Sequence, residues 1–158
     1  MGDFETSLRY AQEIVAAYPG QPAMIFANLY LGRVAFSQQD IALAAACLRE
    51  SYSPTLWKEF SGAGWLDSIP LKLGGIRLFV LQEHFRAAAF LIGSVDDLYR
   101  RASGGCIKRE RSEYEEDYAA TRAALGEEGF HAACAPGVGL DFDQVRSWFL
   151  ENLDELTP

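Results

Sequence analysis

A chain of 158 residues with 49% hydrophobic and 23% charged residues can bury a substantial core, which excludes intrinsic disorder and points to one globular domain over 1–158. A formal net charge of −8 and a pI near 4.7 argue against direct nucleic-acid binding and against docking on anionic membranes, since both need a surplus of Lys and Arg. Cys47, Cys106 and Cys134 lie too far apart for a CxxC pair or a zinc cluster, so reduced structural thiols and a cytoplasmic location are expected.

Residues 4–18 place Phe4, Leu8, Ala11, Ile14 or Val15, and Tyr18 on one helical face, and Pro19-Gly20 ends that helix. After Pro22 a second helix carries Ile25, Leu29, Gly32 and Phe36 on its stripe, with Ala27, Gly32 and Ala35 small enough for another helix to approach. Gln38-Gln39-Asp40 makes a turn with Asp40 as N-cap, and the next helix runs to about Tyr52 with Leu43, Cys47 and Leu48 inward. Residues 53–64, with Pro54, Gly62 and Gly64, form an irregular connection that holds Trp57 and Phe60.

Helical patterning resumes at Trp65, with Pro70 in a first turn or at a kink. A partner helix follows with Phe85, Ala88, Ala89, Ile92, Val95 and Leu98 inward, and Ser103-Gly104-Gly105 stops it. The segments LYLGRVAFSQQDIALAAACL and LKLGGIRLFVLQEHFRAAAFLI, about forty residues apart, form a weak internal repeat of antiparallel helix pairs. Arg111–Leu125 is amphipathic through Tyr114, Tyr118, Thr121 or Arg122, and Leu125, and Gly126 ends it as a C-cap. Glu127 and Glu128 open a short helix bearing Phe130, Ala133 and Cys134, with Phe130 expected to be the most buried residue between Tyr118 and Val145. Asp141 and Gln144 have capping-box spacing, and Val145, Trp148, Phe149 and Leu153 give the last helix its buried face.

No stretch alternates as a strand would, so the fold expected is all-α. Antiparallel helix pairs in 4–52 and 65–102 would be closed by C-terminal capping helices in 111–154. Catalytic patterns are missing: there is no GxSxG elbow, and Gly74-Gly75 and Gly104-Gly105 lack the order of a phosphate loop. His84 and His131 read as solvent-facing or turn-capping, and Asp96-Asp97 and Glu115-Glu116 as solvated helix faces. No catalytic, cofactor-binding or metal-binding residue is assigned. Arrays of helix pairs bind partners on the first helix of each pair, which singles out Asn28, Arg33, Lys72 and Arg77, and Trp57 adds an aromatic anchor.

The repeat and the closing segment together resemble the tetratricopeptide-like C-terminal array of large LuxR-type transcriptional regulators and related signal-transduction ATPases. That family's pattern LG-x-[VL]-A-x-x-Q-G-D…A-x-x-L-x-E-S is matched at Leu31-Gly32, Val34-Ala35, Gln39-Asp40, Ala44, Leu48 and Glu50-Ser51. Its second unit is matched at Gln82, Ala88-Ala89, Leu91 and Gly93. The closing motif is matched without a gap at Tyr114, Arg122, Leu125-Gly126-Glu127, Phe130, Ala133, Gly137, Leu140 and Val145. Cys134 stands where the family has Trp, Pro136 replaces an acidic residue, and His84 replaces a turn Asp. Neither a P-loop nor a DNA-reading helix-turn-helix accompanies the array, so the chain is expected to be a fragment or a standalone relative. The resemblance implies a non-catalytic regulatory module with a protein or peptide partner. A homodimer formed through an end helix is a further expectation, because short arrays expose apolar ends. The alternative is a sensor that holds a small molecule between helices.

Overall fold

The computed structural model describes residues 4–21, 23–57, 74–103 and 115–156. All regular structure among them is helical: α1 (Phe4–Ala17), α2 (Ala23–Ser37), α3 (Ile41–Ser51), α4 (Pro54–Trp57), α5 (Ile76–Leu81), α6 (Phe85–Ser103), α7 (Glu115–Cys134), a 3₁₀ turn (Ala135–Gly137) and α8 (Phe142–Leu156). They fall into two compact units, α1–α4 and α5–α8. Pro54–Trp57, expected within an irregular connection, forms the short helix α4. None of the described helices is long and apolar enough to cross a membrane. Lys72, Phe60, Trp65, Pro70, Cys106, Gly104-Gly105 and Tyr114 lie outside the described residues, as does Pro22.

In the first unit α2 packs between α1 and α3. Small residues bring α2 and α3 together, as the sequence anticipates: a Cβ on Gly32 would sit 3.5 Å from Cys47 Cβ and 3.6 Å from the Ala44 carbonyl oxygen, ordinary contact distances. Ser51, fully buried, donates its hydroxyl to the Ile25 carbonyl at 3.0 Å and ties the end of α3 to the start of α2. The inward face of α3 is Ala44, Ala45, Cys47, Leu48 and Ser51. Leu43, expected inward, is 47% exposed, and Tyr18 is 49% exposed instead of closing the α1 stripe. The helical period explains Leu43: once Ala44 and Leu48 face α2, Leu43 lies beside them and points outward.

The turn between α2 and α3 recurs between α5 and α6. Asp40 N–H donates to the Ala35 carbonyl (2.9 Å) and Gln39 N–H to that of Phe36 (3.1 Å). In the second unit His84 N–H donates to Phe79 (2.8 Å) and Glu83 N–H to Val80 (3.0 Å). Gln39 and Glu83 both adopt φ of 61°, so each turn is a Schellman motif with a left-handed residue two positions before the next helix. The first turn also has its N-cap, since Leu43 N–H donates to Asp40 Oδ1 at 2.9 Å. His84 occupies the corresponding place in the second turn.

The second unit has a core of Ile76, Leu78, Phe79, Leu91, Ile92, Val95, Val145, Phe149 and Leu153, all nearly or fully buried. Phe79 meets Phe149 edge to face at 5.8 Å between centroids. Along α7 the chain is helical on both sides of Gly126, which sits at φ 68°, ψ 169°. That is a region essentially restricted to glycine, and an extended break rather than the left-handed cap the sequence suggests. Past the break Phe130 is 2% exposed with its ring on Tyr118 at 5.0 Å, while Thr121 and Val145 in the same stretch are fully enclosed. The Asp141–Gln144 capping box forms as anticipated: Gln144 N–H donates to Asp141 Oδ1 (2.8 Å) and Asp141 N–H to Gln144 Oε1 (2.9 Å).

Two glycines set how closely the end of α7 lies on α6. A Cβ on Gly93 would overlap the Cys134 carbonyl, and one on Gly137 would overlap the Ser94 hydroxyl and press on its backbone nitrogen at 3.0 Å. The contact is therefore backbone against backbone.

Candidate functional site

Of the residues the sequence offers for partner binding, Asn28 and Trp57 are buried, Arg33 is exposed, Arg77 is half-buried and Lys72 lies outside the described residues. Asn28 faces the interior of the first unit, where its amide nitrogen makes no hydrogen bond among the described residues. The Trp57 ring stacks on Tyr52 at 6.0 Å, and its Nε1–H donates to the Ser51 carbonyl at 2.8 Å. That indole anchors α4 to the end of α3; neither it nor Asn28 is displayed on the surface of this unit.

Arg77 instead makes a salt bridge across the second unit. Its guanidinium donates to Asp117 at 2.5 Å, with Glu116 at 4.0 Å, and this joins α5 to α7. Burial pushes the Asp117 carboxyl above its usual range, and the Arg77 charge offsets that only in part. A second buried carboxylate corrects the reading of Asp96-Asp97 as a solvated face: Asp97 is 4% exposed. It pairs with Arg100 and with Arg101 (3.0 Å), and accepts the Gly139 N–H at 2.9 Å. Arg101 also donates to the Leu140 carbonyl, so the end of α6 grips the turn that leads into α8. Burial opposes the Asp97 charge, but the Gly139 amide and the two guanidinium groups together hold its carboxyl below the usual range.

His131 is exposed and bonds Glu127 at 2.9 Å, an i, i+4 pair that the spacing alone reveals. Glu127 is also held bidentately by Arg122 at 2.5 and 2.6 Å, so the pair bridges the Gly126 break. The Arg122 hydrogen bonds lower the Glu127 carboxyl below its ordinary range. Burial raises both Cys47 and Cys134, the latter to about 11, which leaves them as protonated, inert thiols at neutral pH. Among the described residues no group of three or more His, Cys, Asp or Glu is placed to hold a metal ion.

An open groove of about 750 Å³ lies on the second unit. Phe85, Ala87 and Phe90 of α6, Leu125, Ala132 and Ala133 of α7, Pro136, and Trp148 of α8 give it an apolar floor. Glu83, His84, Arg86 and Asn152 supply its polar margin. Trp148 is the centrepiece: its ring stacks on Phe90 at 3.9 Å and 28°, and tilts against Phe79 at 5.9 Å. Asn152 Nδ2 donates to the Trp148 carbonyl at 2.8 Å, which leaves Oδ1 as an acceptor at the margin. The sequence places Phe85 and Trp148 on inward stripes, and they do pack, but against an open cleft between three helices. No local pattern marks that cleft, because its walls come from segments far apart in the chain.

Comparison with protein-family models, with curated proteins and with solved structures returns no match to this chain.

Proposed function

We propose that this chain is a non-catalytic, tetratricopeptide-like module that binds a protein or peptide and couples it to a regulatory output, as the resemblance to LuxR-type regulator arrays implies. The observation that carries this reading is the repetition of one hairpin geometry at 38–40 and 82–84, down to matching hydrogen bonds and a φ of 61° at both Gln39 and Glu83.

The module acts in the cytoplasm, without direct nucleic-acid contact, and Arg33, exposed on α2, is the residue through which we place a partner contact on the first unit. It self-associates as a homodimer. Sedimentation at high concentration is expected to give twice the 17.5 kDa chain mass, and a clean monomer removes that part of the proposal. The interaction reading is tested by photo-cross-linking in host cells from an amino-acid probe at position 33. A protein adduct is expected. Cross-links to no protein, together with saturable micromolar binding of a metabolite by calorimetry, would replace it with the small-molecule sensor.

A further inference from the structure

We infer that the homodimer forms by exchange: the segment after Gly126, residues 127–156, leaves its own α5 and α6 and packs on those of a second copy. The inference rests on the self-association proposed above and adds its mechanism. The chain is helical up to Gly126 and again directly after it, so a single residue makes the whole connection. The fold-back there is sharp. The Tyr118 and Phe130 rings meet at 5.0 Å between centroids, whereas twelve residues of continuous helix would set them about 18 Å apart along the axis. Gly126 is exposed, and a Cβ there would meet nothing within 4 Å among the described residues, so no packing locks the joint. Rotation at this residue alone turns the two halves into one helix over Glu115–Cys134.

Opening has a local driving force. A helix end leaves backbone groups without intrahelical partners, and a helix that runs through position 126 pairs them. Ala123, Ala124, Leu125, Glu127 and Glu128 around the joint are strong helix formers. The exposed Arg122–Glu127 pair, which spans the bend at 2.5 and 2.6 Å, is a contact that opening gives up, since residues five apart on a straight helix do not face each other. A straight α7 carries Phe130 and α8 away from their own core, and a second copy opened in the same way offers an identical surface. Pairings that cross the joint are then remade between copies: Tyr118 with Phe130, Phe90 with Trp148, Phe79 with Phe149, and Asp97 with the Gly139 amide. Closed and exchanged forms thus share these core contacts, the condition under which swapping is a low-cost route to a dimer. The groove becomes composite, with Phe85, Phe90 and Leu125 from one copy and Ala133, Pro136 and Trp148 from the other.

Sedimentation of the full chain and isotope-filtered NMR test the exchange. When labelled and unlabelled chains are mixed equally and refolded together at high concentration, NOEs between the Phe90 and Trp148 rings are expected to pass from one copy to the other. Gly126→Ala disfavours a φ of 68° with ψ of 169° and favours a continuous helix, so it should tighten the dimer at least about tenfold. Glu127→Pro suits a chain that turns at Gly126, where it opens a helix, but breaks one that runs through, and it should stay monomeric. Circular dichroism checks that both variants fold; if Gly126→Ala does not, the mixed parent chains and Glu127→Pro decide. A parent dimer without NOEs between copies, or a Glu127→Pro dimer as tight as the parent's, overturns the exchange and leaves a homodimer of another kind. A monomeric parent removes the homodimer and the exchange with it, while the partner contact tested at position 33 stands apart from both.

Discussion

The two helix hairpins share a turn and differ in what holds their surroundings. In the first unit, α2 and α3 meet through small apolar side chains at ordinary contact distance around Gly32, and Asp40 caps the second helix. In the second unit the capping position holds His84, and α6 carries the packing load through backbone contact at Gly93 and Gly137 and through the buried carboxylate Asp97. A repeated turn therefore dictates a helix pair, but not how the next element is laid upon it. Apolar contacts can relax by a few tenths of an ångström, whereas a backbone crossing cannot, so the second unit should be far less tolerant of substitution.

The largest effect expected is at the closing segment. Phe130→Ala should cost about 3–5 kcal/mol in urea unfolding, since it truncates a core Phe; a loss below about 1 kcal/mol would mean that the segment after Gly126 contributes little to the second unit. Gly93→Ala and Gly137→Ala come next. Overpacking a rigid crossing costs about 3 kcal/mol, and better helix propensity returns no more than about 1 kcal/mol of it at Gly93. Gly32→Ala, where the new methyl has room, should stay within about 1 kcal/mol of the parent. Equal losses at Gly32 and Gly93 would erase the contrast between the units.

The two buried carboxylates sharpen the comparison through pH. The Asp97 carboxyl is lowered in the folded state, so the stability it contributes is present above the unfolded pKa and lost as pH falls through the folded value, below the ordinary carboxylate range of about 3.9. The Asp117 carboxyl is raised, so its contribution is present below the unfolded pKa and lost as pH rises through the folded value, above that range. Asp97→Asn should flatten the acid limb of a stability–pH profile, and Asp117→Asn should flatten the slope of opposite sign just above it. Identical profiles for the two variants would show that the Gly139 amide and the arginines do not outweigh burial at Asp97.

The smallest effects lie in the turns themselves. His84→Asp should restore the cap that Asp40 provides in the first hairpin and add about 1 kcal/mol, while Asp40→Ala removes about as much. Gln39→Gly and Glu83→Gly should each stabilise by about 0.5–1 kcal/mol by relieving a left-handed side chain, net of the extra freedom of an unfolded glycine. These are read as shifts in the urea midpoint at unchanged slope.

Much of this architecture is legible in the sequence because its causes are local. The helix bounds follow from Pro19-Gly20, the Asp40 cap, the Gly126 break and the Asp141–Gln144 box, each a matter of backbone groups within a few residues. The Asp97 pairs with Arg100 and Arg101 stand at helical spacing too, and His131 lies four residues from Glu127; both were available to inspection. What the tertiary structure alone decided is every contact between distant segments. Burial of Asn28 and Trp57, the pairing of Arg77 with Asp117 and the groove around Trp148 depend on how helices cross, and the helical period assigns a face without saying what will meet it. Local chemistry thus determined where each helix begins and ends, and packing between segments distant in the chain, such as Gly93 on the end of α7, decided which faces were closed.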